Sequence, residues 1–131
     1  MFGKEDKTEA FERILIRESG MRGSWEYEII NKGSEAEITF YRIYYADGND
    51  ERRAEEKASC DINTFNDILR KHGVLKWNGF HGKHPKHVRD GIMFRFTAEL
   101  SDGTTIKADG SENFPKGYRE FTGWINDTLK G

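Results

Sequence analysis

The chain has 131 residues and a net charge of −2, with 35% hydrophobic and 34% charged residues. This length suits one domain with a single core, and the weak charge excludes an overall attraction to nucleic acid or anionic membranes. Its one cysteine, Cys60, excludes an intrachain disulfide framework. The sequence has neither a signal peptide nor the roughly 20 apolar residues of a membrane span, so we expect a cytoplasmic protein.

Three strands are predicted in the first part of the chain, after a polar start at residues 1–10 that we expect to be disordered. The first strand covers residues 11–19. In the second, from Trp25 to Ile29, large apolar residues alternate with glutamates, which is the period of a strand with one exposed face. Residues 37–45, rich in β-branched and aromatic side chains, predict the third. Turn residues separate these segments, so they predict an antiparallel meander.

A helix is predicted after the meander and a charged segment. The charged segment, residues 49–59, is compatible with a short helix, an edge strand or a loop, and these alternatives stay open. Asp61 or Asn63 is placed to cap the helix, and apolar residues follow at helical spacing from Phe65 to Leu69. Gly73 suits the left-handed conformation that ends a helix.

The last part of the chain contains a long connection, a hairpin and a second helix. The connection is residues 74–91, and alternation from Ile92 to Leu100 predicts a strand that returns through an Asp-Gly turn to residues 104–108. An apolar stripe from Tyr118 to Leu129 predicts the final helix. The order β-β-β-α-β-β-α predicts a two-layer α+β sandwich, with two helices on one face of an antiparallel sheet of about five strands.

The connection at residues 74–91 is the candidate site, because long connections without secondary structure of their own are often functional. All four histidines of the chain lie in or beside it. From Arg70 to Arg95 there are seven basic residues and one acidic residue, a net charge of +6, which leaves −8 for the rest of the chain. A basic segment with Trp77 and Phe80 interleaved is typical of a surface that faces anions.

Our leading hypothesis is a non-enzymatic binding or protein-interaction module that uses this connection. Its partner is an unknown protein or an anionic ligand, and nucleic acid is disfavoured. The residues predicted to make contact are Trp77, Phe80, His81, Lys83, His84, Lys86, His87 and Arg89. Two structural alternatives stay open: the aromatic residues also suit anchors that tie the connection to the core, and the basic residues also suit neutralisation of the acidic meander.

A metal-binding protein or metal-dependent enzyme is the alternative function. His81, His84 and His87 are spaced three residues apart, and imidazole is a ligand for zinc, nickel and copper. Gly82 and Pro85 interrupt this spacing, so no helix aligns the three ligands on one face. We therefore predict no cofactor. A homo-oligomer built through sheet edges is a third alternative.

The sequence carries no recognisable catalytic motif. Its serines lack the context of a nucleophile elbow. Gly110, Ser111 and Asn113, which precede the final helix, suit turn and cap chemistry better than a phosphate-binding loop. We therefore predict no catalytic residue.

The last third of the chain carries a resemblance. Asp90-Gly91 before an aromatic-led strand, then Asp102-Gly103, then Gly110-Ser111-x-Asn113-x-Pro115-x-x-Tyr118 resembles a pattern in small uncharacterised single-domain bacterial proteins, mostly of Firmicutes and other gut bacteria. Ile16-Arg17-x-Ser19-Gly20 near the start is consistent with that group. The resemblance implies a shared fold and a bacterial cytoplasmic origin, and it assigns no site residues.

Overall fold

A computed structural model describes residues 10–131, so the disorder predicted for residues 1–10 lies outside the described residues except at Ala10. This part of the chain is α+β, and none of its helices is long and apolar enough to cross a membrane. Its elements are β1 (Phe11–Gly20), β2 (Gly23–Asn31), β3 (Glu35–Ala46), β4 (Asn49–Asp61), α1 (Ile62–Lys71), a 3-10 turn (Val74–Lys76), β5 (His81–Gly82), β6 (Met93–Leu100), β7 (Thr105–Ser111) and α2 (Tyr118–Lys130).

The prediction of a five-stranded sheet in the order β-β-β-α-β-β-α is wrong. The described residues form one mixed sheet of seven strands, in the spatial order β4-β3-β2-β1-β6-β7-β5. Every neighbouring pair is antiparallel except β5 and β7, which are parallel. The prediction of about five strands did not count β4 and β5, which lie at the two edges of the sheet. The reason is different for each strand.

β4 was ambiguous in the sequence because most of it is exposed in the described structure. It is an edge strand, and nearly all of its residues are exposed. A strand with no buried face has no apolar alternation, so the period that identifies the other strands is absent. Its dense charges are those that natural edge strands use against edge-to-edge association.

β5 has only two residues, His81 and Gly82, and pairs with Asp109 and Gly110 of β7. A two-residue strand is too short to show any period. It forms because the chain leaving α1 passes along the open edge of β7. The connection that the sequence predicts to be irregular therefore contributes the last strand of the sheet.

One face of the sheet carries the core, and both helices pack against it. Phe65 of α1 lies 5.1 Å between ring centroids from Phe11 of β1, and 6.1 Å from Phe121 of α2. The buried cluster continues through alternate residues of β1, β2, β3, β6 and β7. On each strand, the side chains between these buried residues point to the opposite face of the sheet, which is called the polar face below.

α1 begins and ends where the sequence predicts. Asp61 is the N-cap, and its carboxylate accepts hydrogen bonds from the backbone N–H groups of Asn63 and Thr64 at 3.0 and 3.3 Å. Gly73 follows the helix with φ +64°. A left-handed residue at this point lets the chain turn away from the helix axis without a side-chain clash.

The tip of the β3–β4 hairpin, residues 44–51, curls over the polar face. A guanidinium nitrogen of Arg17 in β1 lies 2.9 Å from the Asp50 carboxylate in β4. Two strands separate β4 from β1, so a flat sheet would hold their backbones about 14 Å apart. The sheet must therefore bend here. A β-bulge between Phe40 and Tyr41 in the β3–β4 ladder is the kind of irregularity that increases bending.

Candidate functional site

The connection between α1 and β6 is held against the sheet edge. The Gly79 N–H donates to the carbonyl of Lys107 at 2.8 Å, and the Asp109 N–H donates to the carbonyl of Phe80 at 3.0 Å. β5 continues this pairing and sets His81 beside Asp109. The predicted site residues at the start of the connection are thus positioned by backbone hydrogen bonds to β7.

Trp77 and Phe80 anchor the connection to the core, which was the structural alternative for them. Trp77 is 4% exposed, and its ring packs edge-on against Phe96 at 5.0 Å between centroids. Its indole N–H donates to the carbonyl of Lys116 at 2.9 Å. Phe80 is half-buried with its ring 6.3 Å from that of Phe94. The indole N–H and ring of Trp77 are therefore already used inside the fold.

Two glycines allow three segments to meet behind the histidines. A Cβ on Gly82 would lie 2.2 Å from the carbonyl oxygen of Asn113, and a Cβ on Gly110 would lie 2.3 Å from the same atom. The Asn113 side-chain amide in turn donates to the carbonyl of Lys83 at 3.1 Å. This close approach joins β5, the end of β7 and the turn before α2 into one rigid corner.

A cleft of about 680 Å³ opens on the polar face beside this corner. One wall is the connection, the other is the curled hairpin tip, and the floor is the exposed side of β1, β6 and β7. Its lining is Arg17, Ser19, Asp50, His81, Gly82, Lys83, His84, Met93, Phe94, Arg95, Asp109, Gly110 and Ser111. Of the predicted contact residues, only His81, Lys83 and His84 line it; Lys86, His87 and Arg89 are exposed outside it.

A row of charged residues crosses the floor of the cleft. Strand pairing sets Glu26 opposite Arg17, Arg17 opposite Arg95, and Arg95 opposite Asp109. Two arginines therefore face each other directly on neighbouring strands. Like charges in directly opposed positions destabilise a sheet unless something neutralises them.

Arg17 is neutralised from within the protein. It lies 2.9 Å from Asp50 and 3.7 Å from Glu26. The hydrogen bond to Asp50 is the main reason that the pKa of Arg17 lies above its ordinary value. Arg52 approaches Glu26 from the other side at 3.2 Å. The carboxylate of Glu26 is thus shared by two arginines and leaves no charge for Arg95.

Arg95 differs from Arg17 in this respect. It is exposed, and among the residues that the structure describes no carboxylate comes within ion-pairing distance of it. Asp109, its opposite neighbour in β7, accepts a hydrogen bond from His81, with Nδ1 and Oδ1 2.5 Å apart. Arg95, in the lining of the cleft, therefore has no paired anion among the described residues.

The two histidines in the cleft have different partners. His81 pairs with the Asp109 carboxylate. His84 lies 2.7 Å through Nδ1 from the Ser111 hydroxyl and 2.5 Å through Nε2 from the carbonyl oxygen of Val88. In the described part of the chain, no three His, Cys, Asp or Glu side chains are grouped so that they could hold a metal ion. The metal-binding alternative therefore has no ligand set among these residues.

A larger groove, about 830 Å³, lies on the helix side of the molecule. Its lining includes the basic residues Arg70, Lys71, Lys76 and Lys116 together with Glu120. Arg70 and Lys71 stand in the last turn of α1, where cations offset the negative end of the helix dipole. Helix stability explains part of this charge, so we regard the cleft on the polar face as the stronger candidate.

The sequence-based prediction missed half of the cleft. The missed polar side chains are those of Arg17, Ser19, Asp50, Arg95, Asp109 and Ser111, which come from four different strands. Strand alternation alone marks Arg17 and Arg95 as facing away from the core. No sequence signal sets them opposite each other, because register is decided by strand pairing. Comparison of the sequence with known protein families and with curated proteins finds no match to either.

Proposed function

We propose that the protein binds a small anionic ligand, carrying a carboxylate or a phosphate, in the cleft on the polar face. The observation that carries this proposal is the directly opposed pair Arg17 and Arg95: within residues 10–131, carboxylates pair with Arg17 and none pairs with Arg95. An anion bound at Arg95 relieves the repulsion between the two arginines and gives the second one a partner. Such a protein is a binding module, as the sequence analysis predicts. Its contact surface is the cleft, which includes His81, Lys83 and His84 of the residues predicted in the connection.

The chemistry of the cleft suits such a ligand. A guanidinium presents a rigid fork of donors that matches carboxylate and phosphate oxygens. Lys83 adds an ammonium group, and the hydroxyl of Ser19 adds a neutral donor. A volume of about 680 Å³ lies within the range typical of small-molecule sites. Asp50 and Asp109 in the same lining limit the net charge and therefore favour a small anion over a polyanion.

Arg95→Gln is the variant that tests the site. We expect the backbone amides around the cleft to shift in an NMR titration with inorganic phosphate or succinate, and we expect Arg95→Gln to weaken the binding about tenfold or more. A hydrogen bond to a charged group is worth about 1.5–3 kcal/mol, and 1.4 kcal/mol corresponds to a factor of ten. Lys32→Gln, in the β2–β3 turn, is the matched control, because it also removes a cation but at a position away from the cleft.

Three results contradict the proposal. The first is an absence of shifts with both anions at tens of millimolar. The second is a set of shifts confined to the helix-side groove. The third is weakening by Lys86→Gln instead of Arg95→Gln, which would return the contact surface to the exposed turn of the connection and favour a protein partner.

Cytoplasmic location and self-association belong to the same proposal. The single cysteine, with no disulfide to protect, supports a reducing compartment. The long exposed edge of β4 is where a second copy would add its own strand. Light scattering at several protein concentrations separates a monomer, which the charges of β4 favour, from an oligomer.

A further inference from the structure

The hydrogen bonds of His84 determine which of its nitrogens carries a proton. The Val88 carbonyl oxygen, 2.5 Å from Nε2, can only accept, so Nε2 of the imidazole must be the donor. In the neutral ring Nδ1 is then the unprotonated nitrogen. The Ser111 hydroxyl, 2.7 Å from Nδ1, therefore donates its proton to it. This is the arrangement of a serine nucleophile beside an oriented base.

Ser111 lies at a position where the backbone is constrained. It is the last residue of β7, and Glu112 after it adopts φ +48°, an uncommon value for a residue with a side chain. Two contacts with Ile92 hold this conformation: the Glu112 N–H donates to the Ile92 carbonyl at 2.8 Å, and the Ile92 N–H donates to the Glu112 carboxylate at 2.7 Å. Constrained conformations of this kind cluster at functional sites.

A second serine in the cleft provides an internal comparison. The Ser19 hydroxyl lies 2.9 Å from the hydroxyl of Ser24, and neither has an imidazole partner. Ser19 and Ser111 therefore share one solvent-filled cleft and differ in the base beside them. Of these two hydroxyls, the one of Ser111 has an imidazole nitrogen as its hydrogen-bond partner.

We propose that Ser111 is a nucleophile and His84 its general base in the hydrolysis of carboxylic esters that bear an additional anionic group. The class of substrate rests on the proposed function, because Arg95 would hold the anionic group. The nucleophilic chemistry itself rests only on the Ser111, His84 and Val88 contacts. The Val88 carbonyl positions the imidazole and keeps Nδ1 free to accept.

The reaction balances without a cofactor. The Ser111 oxygen bonds to the ester carbonyl carbon while its proton moves to His84 Nδ1, and the carbonyl π electrons move to the carbonyl oxygen. When these electrons re-form the carbonyl double bond, the bond between the carbonyl carbon and the leaving alkoxide oxygen breaks. His84 Nδ1 gives its proton to that oxygen, and an alcohol is released. Water then attacks the acyl-serine, its proton passes through Nδ1 to the serine oxygen, and the carboxylic acid leaves.

The cleft also provides charge for the intermediates. Lys83 lines the same cleft, and its positive charge favours the negative charge that develops on the carbonyl oxygen. The imidazolium formed in the first step keeps its hydrogen bond to the Val88 carbonyl and shares the cleft with Asp50 and Asp109. The lining of the cleft therefore contains charges of both signs for the two charged species of the intermediate.

The test is covalent labelling of the whole protein with an alkyl fluorophosphonate, followed by peptide mass spectrometry. We expect the phosphonate on Ser111 and none on Ser19. His84→Ala should slow the labelling at least about 100-fold, because a general base contributes typically 10²–10⁴ in rate. Ser59→Ala, at an exposed serine of β4, is the matched control and should label like the unaltered protein.

Ser111→Cys provides a second test, which is needed if His84→Ala alone disturbs the fold. This substitution nearly keeps the size of the side chain. We expect iodoacetamide to alkylate the introduced thiol much faster than Cys60. In the double variant that also carries His84→Ala, alkylation of the introduced thiol should be slower. Equal labelling of Ser111 and Ser19, or labelling unaffected by His84→Ala in folded protein, overturns the proposal. Anion binding with an inert Ser111 would leave the proposed function standing, whereas a labelled Ser111 without anion binding would remove only the substrate class.

Discussion

At the scale of single residues, the charges on the polar face fall into a paired set and an unpaired one. Glu26 and Glu28 are buried there although neither described helix lies on this face, because arginine side chains cross over them. Arg13 lies 2.6 Å from Glu28, and Arg52 lies 3.7 Å from it. Buried carboxylates are tolerated only when they are paired in this way. Arg95 lies on the same face, and among the described residues no carboxylate pairs with it.

The pairing of Glu28 predicts how stability depends on pH. Burial by itself raises the pKa of Glu28, but the hydrogen bond and charge of Arg13 and the charge of Arg52 outweigh it, so the pKa lies below its ordinary value of 4.5. A lowered pKa means that the carboxylate stabilises the fold above pH 4.5 and that this contribution is lost as the pH falls further. Glu28→Gln should therefore cost about 1–3 kcal/mol at pH 7 and progressively less towards pH 3.

Urea denaturation at several pH values measures the Glu28 effect. Glu12→Gln, an exposed glutamate of β1, is the control and should change the unfolding free energy little at any of these pH values. A Glu28→Gln penalty that is the same at pH 3 and pH 7 would contradict the pairing.

At the scale of elements, the corner between β5, β7 and the turn before α2 decides whether the cleft exists. Its geometry depends on Gly82, where a Cβ would lie 2.2 Å from the Asn113 carbonyl oxygen. Backbone cannot yield to such a contact without moving β5 away from β7. That movement would also carry His81 and His84 out of the cleft.

Gly82→Ala should therefore destabilise the fold by about 1–3 kcal/mol, the usual cost of overpacking. The control is Gly123→Ala in α2, where a Cβ meets nothing within 4 Å and a helix-favouring residue should add about 0.5–1 kcal/mol of stability. Thermal unfolding of both variants measures the difference. A Gly82→Ala protein as stable as the unaltered chain would show that the three segments are less tightly joined.

At the scale of the whole molecule, α2 is joined to the sheet by a partly buried hydrogen bond as well as by packing. The Tyr118 hydroxyl donates to the Glu18 carboxylate at 2.6 Å, and the Trp25 indole N–H donates to the other oxygen at 2.8 Å. Tyr27 reaches Asn126 of α2 at 3.0 Å. These contacts tie β1 and β2 to the final helix across the core.

The buried tyrosines predict a loss of stability in alkali. Burial is the largest cause that raises the pKa of Tyr118 above its ordinary value of 10.0, and the nearby Glu18 raises it further. A raised pKa means that the stabilisation is complete below pH 10 and is lost as the pH rises above it. The urea midpoint should therefore fall between pH 9 and pH 11.5, and Tyr118→Phe should flatten this decline. Tyr45→Phe, at a tyrosine that is 69% exposed, should leave the decline unchanged.

The sequence by itself determined the elements whose pattern is local. Alternating apolar residues identified β2, β6 and β7, and apolar, β-branched and aromatic residues indicated β1 and β3. Helical spacing with Asp61 and Gly73 identified α1 and its ends. These signals are readable because each of these elements has one covered and one exposed side. β4 is exposed over nearly all of its length and β5 is two residues long, so neither shows an apolar period, and the strand count was wrong for that reason.

Only the tertiary structure decided where the candidate site lies. The sequence drew attention to the histidines of the connection, but the cleft also needs Arg17, Arg95 and Ser111 from three separate strands. Opposition of Arg17 and Arg95 depends on strand register, and contact between Ser111 and His84, 27 residues apart, depends on β5 pairing with β7. Register and edge pairing arise from contacts distant along the chain, which a local pattern does not encode.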